Sequence, residues 1–472
     1  MKGRIIASLL LMSTCFSCRA EIVDSAFYAS LGLPLLSIYT VNEEMPTCDY
    51  VWPPEGAFGI STTNKNKVPG RIIFSDKGKI IYDSGEYEKD QSGMNIHIRG
   101  NTSAYFSAKK PYKIKLEKKN DLFGRNDNRF YDKNWILIDE GGGRLKTIVG
   151  LKLNELFGLG GWTPEYRFVN LFFNGKYHGI YMLLESIKRN ADCRLNVHKN
   201  SGYIIERDAY WWNEDLYFST PMKMQYTFKY PDSKDITNEQ LNYIQTAVEN
   251  METSISDGTY NEHIDIKSFA RWVLAHDILG TYDSGGSNIY VTKYDSTANS
   301  KFTMATLWDF DSSFRVTDNW ARVHYDFFYF KQLFDNSNHL FLSAYKHEWE
   351  QMRDSIFNAM NKFFDDFLDS PLTQALNRSR SMDGAVWKYH APTVKSNIDE
   401  YRSWMEQRRE WLDENIMDID VEPYDILQIA SQTQHNSLSP ATVYNISGQK
   451  MSSSHSLRKG IYIRDGRKYI VR

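Results

Sequence analysis

The chain is short of cysteine, of basic surplus and of long apolar runs, and each shortage closes off a class of protein. Only 4 cysteines occur among 472 residues. Cys15 and Cys18 fall in the first twenty residues, so Cys48 and Cys193 alone remain for a folded body, where they permit one disulfide without establishing it. No Cys or His cluster has zinc-site spacing, which argues against a structural zinc. A formal net charge of -3 offers no basic field, so nucleic acid is not expected as a partner. No repeats or coiled-coil heptads are visible. Common nucleotide signatures are missing too: no Gly-x-Gly-x-x-Gly stands near the start. Trp135-Ile-Leu-Ile138 followed by Gly141-Gly142-Gly143 imitates a phosphate loop, but Arg144-Leu145-Lys146-Thr147 replaces the Gly-Lys-[Ser/Thr] that such a loop needs.

The start of the chain has the shape of a secretory signal peptide. Lys2 and Arg4 precede the apolar run Ile5-Ile-Ala-Ser-Leu-Leu-Leu-Met12, which is too short to span a membrane. Ser13-Thr-Cys-Phe-Ser-Cys18 resembles a bacterial lipoprotein site with the lipid on Cys18. Cys15 is a second candidate, and ordinary cleavage after Ala20 is the competing reading. The protein is therefore expected to be exported to the outer membrane, the cell surface or the medium, with the periplasm as a further option. Membrane contact is expected only through the lipid.

The composition suits a large exported body, since 42% apolar residues can bury a sizeable core. The 12 Trp, 30 Tyr and 26 Phe belong mostly to that core, as in Trp349, Ile356, Phe363 and Phe367 at helical spacing. Further helices are predicted from Leu145 to Phe157, from Thr237 to Ile255 with a capping box to Gln240, from Asp265, and from Ile398 to Ile416. His276-Asp277 lies on the helix begun by Asp265, in step with Phe269, Trp272 and Val273, and reads as core. The fold class is α+β: β-rich to about residue 210 and helix-rich from about 235 to 417. A polar linker is expected at 428–440. From 441 to 472, apolar and polar residues alternate around Gly turns, which predicts a small antiparallel β appendage of about four strands.

Chemistry concentrates in Thr281-Tyr-Asp-Ser-Gly-Gly-Ser-Asn288 and, after the strand-like Phe302 to Leu307, in Trp308-Asp-Phe-Asp311. A carboxylate, an amide five positions on and a second carboxylate after a strand is the order in which kinase-like sites hold a substrate hydroxyl and magnesium. Asp283 suits the general base, while Asn288 with Asp309 or Asp311 offers hard oxygens for the metal. Gly285-Gly286 would let the loop turn tightly. For the phosphates, Lys110, Lys113 and Lys115 lie on a strand whose alternation puts Lys113 and Lys115 on one face, and Arg99 lies in the turn Arg99-Gly-Asn-Thr-Ser103. Glu155 offers a partner carboxylate for such a lysine.

Several blocks in order resemble the spore coat protein H (CotH-like) kinase family. They are Leu33 to Thr40, Ile98-Arg-Gly-Asn-Thr-Ser103 with Lys109-Lys-Pro-Tyr-Lys-Ile-Lys-Leu116, Phe173-Asn-Gly-Lys-Tyr-His-Gly-Ile-Tyr181 with Glu185, the Asp283/Asn288 loop and Trp308-Asp-Phe-Asp311. The resemblance implies a two-lobed atypical protein-kinase-like domain over 21–427 that uses ATP and Mg2+, with Mn2+ as a substitute, to phosphorylate protein Ser/Thr hydroxyls. A non-catalytic adhesin or glycan-binding module on the same fold, and a nucleotidyl transferase, are the alternative readings. The chain departs from the family's expected pattern at Arg315, where Gly is favoured. The C-terminal segment is similar to the sorting domains of type IX secretion in Bacteroidetes, which implies export or surface display.

Overall fold

The structure is a computed structural model that describes residues 25–139, 145–281, 283–314 and 325–428, and the strand residues 443–445, 460–464 and 467–471. The leader with Cys15 and Cys18, the Gly141-Gly142-Gly143 run, Arg315 and nearly all of the 428–440 linker lie outside the described residues.

A β-barrel forms the N-terminal part. Strands β1 (Leu35–Thr40), β4 (Val68–Asp76), β6 (Met94–Ile98), β7 (Tyr112–Asn120), β8 (Asp132–Ile138), β9 (Tyr166–Phe173) and β10 (Lys176–Glu185) run in the order β1-β9-β10-β8-β7-β6-β4. The antiparallel β1–β4 pairing then closes the ring, and β5 (Lys79–Asp83) adds to β4 outside it. Alternate residues of each strand point inward. Ile38, Ile72, Ile96, Ile114, Trp135, Leu171 and Leu183 therefore fill the barrel. A small ribbon of β2 (Asp49–Val51) and β3 (Ser61–Thr63) stands beside it.

The outer faces of β8, β9 and β10 are apolar as well. Ile136, Phe168, Ile180, Met182 and Leu184 join the main core, which includes α3 (Lys146–Phe157), α4 (Asn238–Asp257), α5 (Ile266–Leu279), α7 (Leu340–Asp369), α8 (Pro371–Trp387) and α9 (Val394–Met417). Buried on nearly every side, α5 is the central helix of this part. His276 and Asp277 are core groups, as expected: His276 lies 4.1 Å from the Trp272 ring, and Asp277 accepts from Tyr345 Oη at 2.6 Å. The capping box of α4 is formed in both directions by Thr237 and Gln240.

The helix-rich stretch also carries strands, among them the one expected from Phe302. Strands β11 (Tyr203–Arg207), β12 (Tyr217–Ser219), β13 (Gln225–Tyr230), β14 (Ile289–Lys293) and β15 (Phe302–Met304) make a second sheet in the order β12-β13-β11-β14-β15. Two of its strands lie deep in the helix-rich stretch, because pairing with β11 supplies the ladder that a hairpin alone lacks. At the C-terminus, β16 (Val443–Asn445), β17 (Gly460–Arg464) and β18 (Arg467–Val471) form an antiparallel three-stranded sheet. Cys48 and Cys193 are free thiols and do not pair. No helix among the described residues is long and apolar enough to cross a membrane.

Candidate functional site

The Asp283 loop and the Asp309 segment are stapled together by hydroxyl groups. Asp283 opens a short 3-10 turn to Gly285, and its N–H donates to Ser312 Oγ at 3.2 Å. Ser284 Oγ donates to the Asp309 carbonyl at 3.0 Å, and Thr281 pairs with Ser313 through their hydroxyls at 2.8 Å. The left-handed residue of this loop is Asn288, at φ 62°, rather than the Gly285-Gly286 pair that the sequence suggested. Asn and Asp tolerate this region better than other side chains, and Asp309 occupies it too, at φ 66°. The two meet: Asn288 Nδ2 donates to Asp309 Oδ2 at 3.0 Å, leaving the amide oxygen of Asn288 for another group.

Three carboxylates converge here. Burial, then repulsion from Asp311 and Asp283, pushes the Asp309 carboxyl up to about 6. Asp311 is exposed, whereas Asp309 is largely covered and bonded to Asn288, so Asp309 is the better fixed of the two candidate metal ligands. Lys146, in the first turn of α3, donates to the Asp311 and Ser313 carbonyls at 3.0 and 2.5 Å. Gly150 on the same helix leaves the space that the Phe310 ring fills. From the other side, Arg207 of β11 donates to the Gly286 carbonyl at 2.9 Å.

Facing these carboxylates is a cationic wall on the outer face of β6 and β7. His97 pairs with Lys113 and Asn95 with Lys115, so these side chains share a face, as the alternation predicted. Burial, then Lys229, Arg99, Lys188 and Lys65, holds the Lys113 amine down at about 8. Arg99 feels Tyr290, Asp309 and Glu206, which places it between the barrel wall and the acidic loop. Neither Arg99 nor Lys113 makes a side-chain ion pair among the described residues. Lys115, further along, is exposed.

Other assignments move elsewhere. Lys110 Nζ donates to the Ala104 carbonyl at 2.6 Å and sits over the Tyr50 ring, so it braces the short helix α2 (Thr102–Phe106). Glu155 is exposed and pairs with Lys152 at 2.9 Å. Glu185 is buried in a network with Arg125 and Arg194, at 2.8 and 3.1 Å. Both carboxylates stand in ion pairs with a long basic side chain near at hand. Lys109, a neighbour passed over in the sequence, is the buried one: it pairs with Asp383 at 2.9 Å and Asp139 at 3.0 Å. Asp383 also accepts from the Ile180 N–H at 2.8 Å, and a side chain at Gly179 would overlap it. The Gly-Ile-Tyr block thus docks α8 onto the barrel.

A partnered lysine in the cleft comes instead from the second sheet. Lys229 Nζ lies 2.6 Å from Glu206 Oε2, and Tyr290 bonds the same carboxylate. Burial pushes Glu206 up to about 7 despite Lys229 beside it. The sequence held one signal for it, a carboxylate that directly follows the apolar Tyr203-Ile-Ile205.

Among the described residues no group of three His, Cys, Asp or Glu stands ready to hold a metal ion. Magnesium needs no such cage, since it usually keeps several waters and binds through one or two carboxylates plus substrate phosphates. Asp309 with the Asn288 amide oxygen, and Asp311 nearby, fits a magnesium ion that arrives with a nucleotide. Comparison with curated proteins finds no match. The model of the family described as CotH kinase protein matches residues 96–412, more than half of the chain. The chain belongs to the CotH kinase protein family.

Proposed function

We propose that this chain is an exported, ATP-dependent kinase that moves the γ-phosphoryl group to Ser or Thr hydroxyls of a protein. The observation that carries the reading is the meeting of Asn288 and Asp309 opposite Arg99 and Lys113, two cations with no ion pair among the described residues. Half-buried cations set close to one another call for an anion of several charges, and a triphosphate meets that need. Magnesium, or manganese in its place, would neutralise phosphate charge when held by Asp309 and Asn288, with Asp311 beside them. Asp283 is exposed at the loop's start, where its carboxylate can accept the acceptor hydroxyl's hydrogen bond and then its proton. Arg99 and Lys113 hold the phosphates in line with that hydroxyl, and positioning is most of what phosphoryl transfer asks. Kinship with the kinase family supports both the activity and its cofactors. Export rests on the leader-like first twenty residues and on the likeness of the C-terminal strands to a sorting domain.

The test is incubation of the full chain, and its Asp283→Ala and Asp309→Ala variants, with magnesium and ATP labelled on the α or the γ phosphate. Label from the γ position on protein with the wild type alone supports the kinase. Label from the α position indicates nucleotidyl transfer. Absence of both labels, with no ATP-dependent thermal shift, would leave a binding protein on the family's fold.

A further inference from the structure

Lys229 occupies an irregular place in the second sheet. Ile204 pairs with Tyr230 and Ile205 with Phe228, so the ladder between β11 and β13 skips Lys229. An extra residue of this kind re-aims a side chain, and bulges gather beside active sites for that reason. The next pair of strands is regular, with Glu206 directly opposite Tyr290 on β14. Glu206 thus receives Lys229 from one side and Tyr290 from the other. The carboxylate is only 5% exposed, yet the Lys229 side chain remains 32% exposed, so the pair is anchored on the carboxylate's side while part of the lysine stays uncovered. Both neighbouring walls confirm the placement: Lys229 is the foremost cation felt by Lys113 on the barrel, and Glu206 is among the groups felt by Arg99. Tyr290 stands two residues after Asn288, so the cluster adjoins the acidic loop.

We infer that Lys229 is a phosphate-contacting residue of the nucleotide site, aimed by the β13 bulge and held by Glu206, with the phosphates gripped between it and Lys113. The inference rests on the phosphate reading of the cleft given above. An ammonium with one buried carboxylate behind it keeps its direction and has donors left for a phosphate oxygen. Glu206 is a positioning residue, and Tyr290 fixes Glu206 in turn.

The experiment measures binding of Mg-ATP, AMP and inorganic tripolyphosphate to the full chain by calorimetry, in the wild type and in Lys229→Met, Lys229→Arg and Glu206→Gln. The expected result for Lys229→Met is a loss of ten-fold or more for ATP and tripolyphosphate with AMP unchanged. Lys229→Arg should recover part of the loss, and KM for ATP should rise more than kcat falls. Amine acetylation of the wild type, read by mass spectrometry, needs no variant, and tripolyphosphate should protect Lys229. A wild type that binds tripolyphosphate while Lys229 stays unprotected, or a folded Lys229→Met with wild-type affinity, overturns this inference alone. A wild type that binds neither ATP nor tripolyphosphate overturns the phosphate reading and this inference with it.

Discussion

Gly150 gives the sharpest prediction because its missing side chain is where Phe310 sits. It lies inside α3 in ordinary helical backbone, so alanine there meets no conformational penalty and should gain about 1 kcal/mol of helix propensity. The added Cβ, however, would lie 2.6 Å from Phe310 Cγ and nearer still to Cδ1 and Cε1. Carbon atoms rest at about 3.5–4.0 Å, so the ring must retreat by an ångström or more. Phe310 is only 2% exposed, so the ring must move against packed neighbours. Overpacking of this kind costs about 1–3 kcal/mol, which leaves a net loss of about 0–2 kcal/mol after the propensity gain. The effect on transfer should be larger than the effect on stability. Asp309 and Asp311 flank the ring, and a misplacement of about 1 Å can cost on the order of 100-fold in rate. Urea unfolding and γ-phosphoryl transfer by Gly150→Ala should therefore diverge, with a small change in midpoint and a large fall in kcat. Phe310→Leu in the same chain should recover part of the rate, as coupled neighbours do. Wild-type turnover by Gly150→Ala would refute the claim that α3 seats the metal-side loop.

Asp309→Asn should stabilise the metal-free protein. The folded carboxyl is raised to about 6, so its ionisation costs stability as pH rises from about 4 to 6; the variant's gain, about 1–3 kcal/mol, should be full above pH 6 and vanish below pH 4 in melts taken with a chelator. Asp383→Ala removes a partner of buried Lys109 and the acceptor for the Ile180 N–H, and should cost about 3–5 kcal/mol by denaturant titration. Glu155→Ala, which loses only an exposed pair with Lys152, should change stability by less than about 1 kcal/mol and leave phosphoryl transfer intact. Thr237→Ala breaks the α4 capping box and should cost about 1 kcal/mol in the same titration.

Local patterns were legible where a residue's neighbours in sequence decide its place. The face shared by Lys113 and Lys115, the capping box at Thr237 and the core role of His276 follow from spacing alone. The approach of Asn288 to Asp309 was legible as a motif, though not which of Asp309 and Asp311 it meets. What escaped depends on register between distant strands. Nothing in Gln225 to Tyr230 marks Lys229 as the skipped residue, because a bulge exists only relative to its partner strand. Choosing among Lys109, Lys110 and Lys113 likewise required knowing that Asp383, far along the chain, would dock against Lys109. Glycine spacing misled for a related reason: the loop turns at Asn288, whose side chain tolerates the left-handed region, while a side chain at Gly286 would meet nothing nearer than the Asp283 carbonyl at 4.0 Å.

Closure of the barrel bears on how the cleft can open. A sheet with free edges can splay or shear along its margin, but the β1–β4 pairing leaves the seven-stranded ring with no seam. Arg99 and Lys113 are consequently spaced by ladder register, and the wall that carries them must move as one piece. Any opening of the cleft then falls to the contacts between wall and second sheet. Several of those contacts are polar: Thr102 against Tyr210, Ser61 between Asn101 and Asn213, and Trp212 on the Phe58 carbonyl at 3.3 Å. Water can replace each of these bonds at little cost, whereas the apolar core shared by Ile180 and Met182 of the barrel with Ile205 and Ile289 of the second sheet resists separation, so any give is confined to the polar rim.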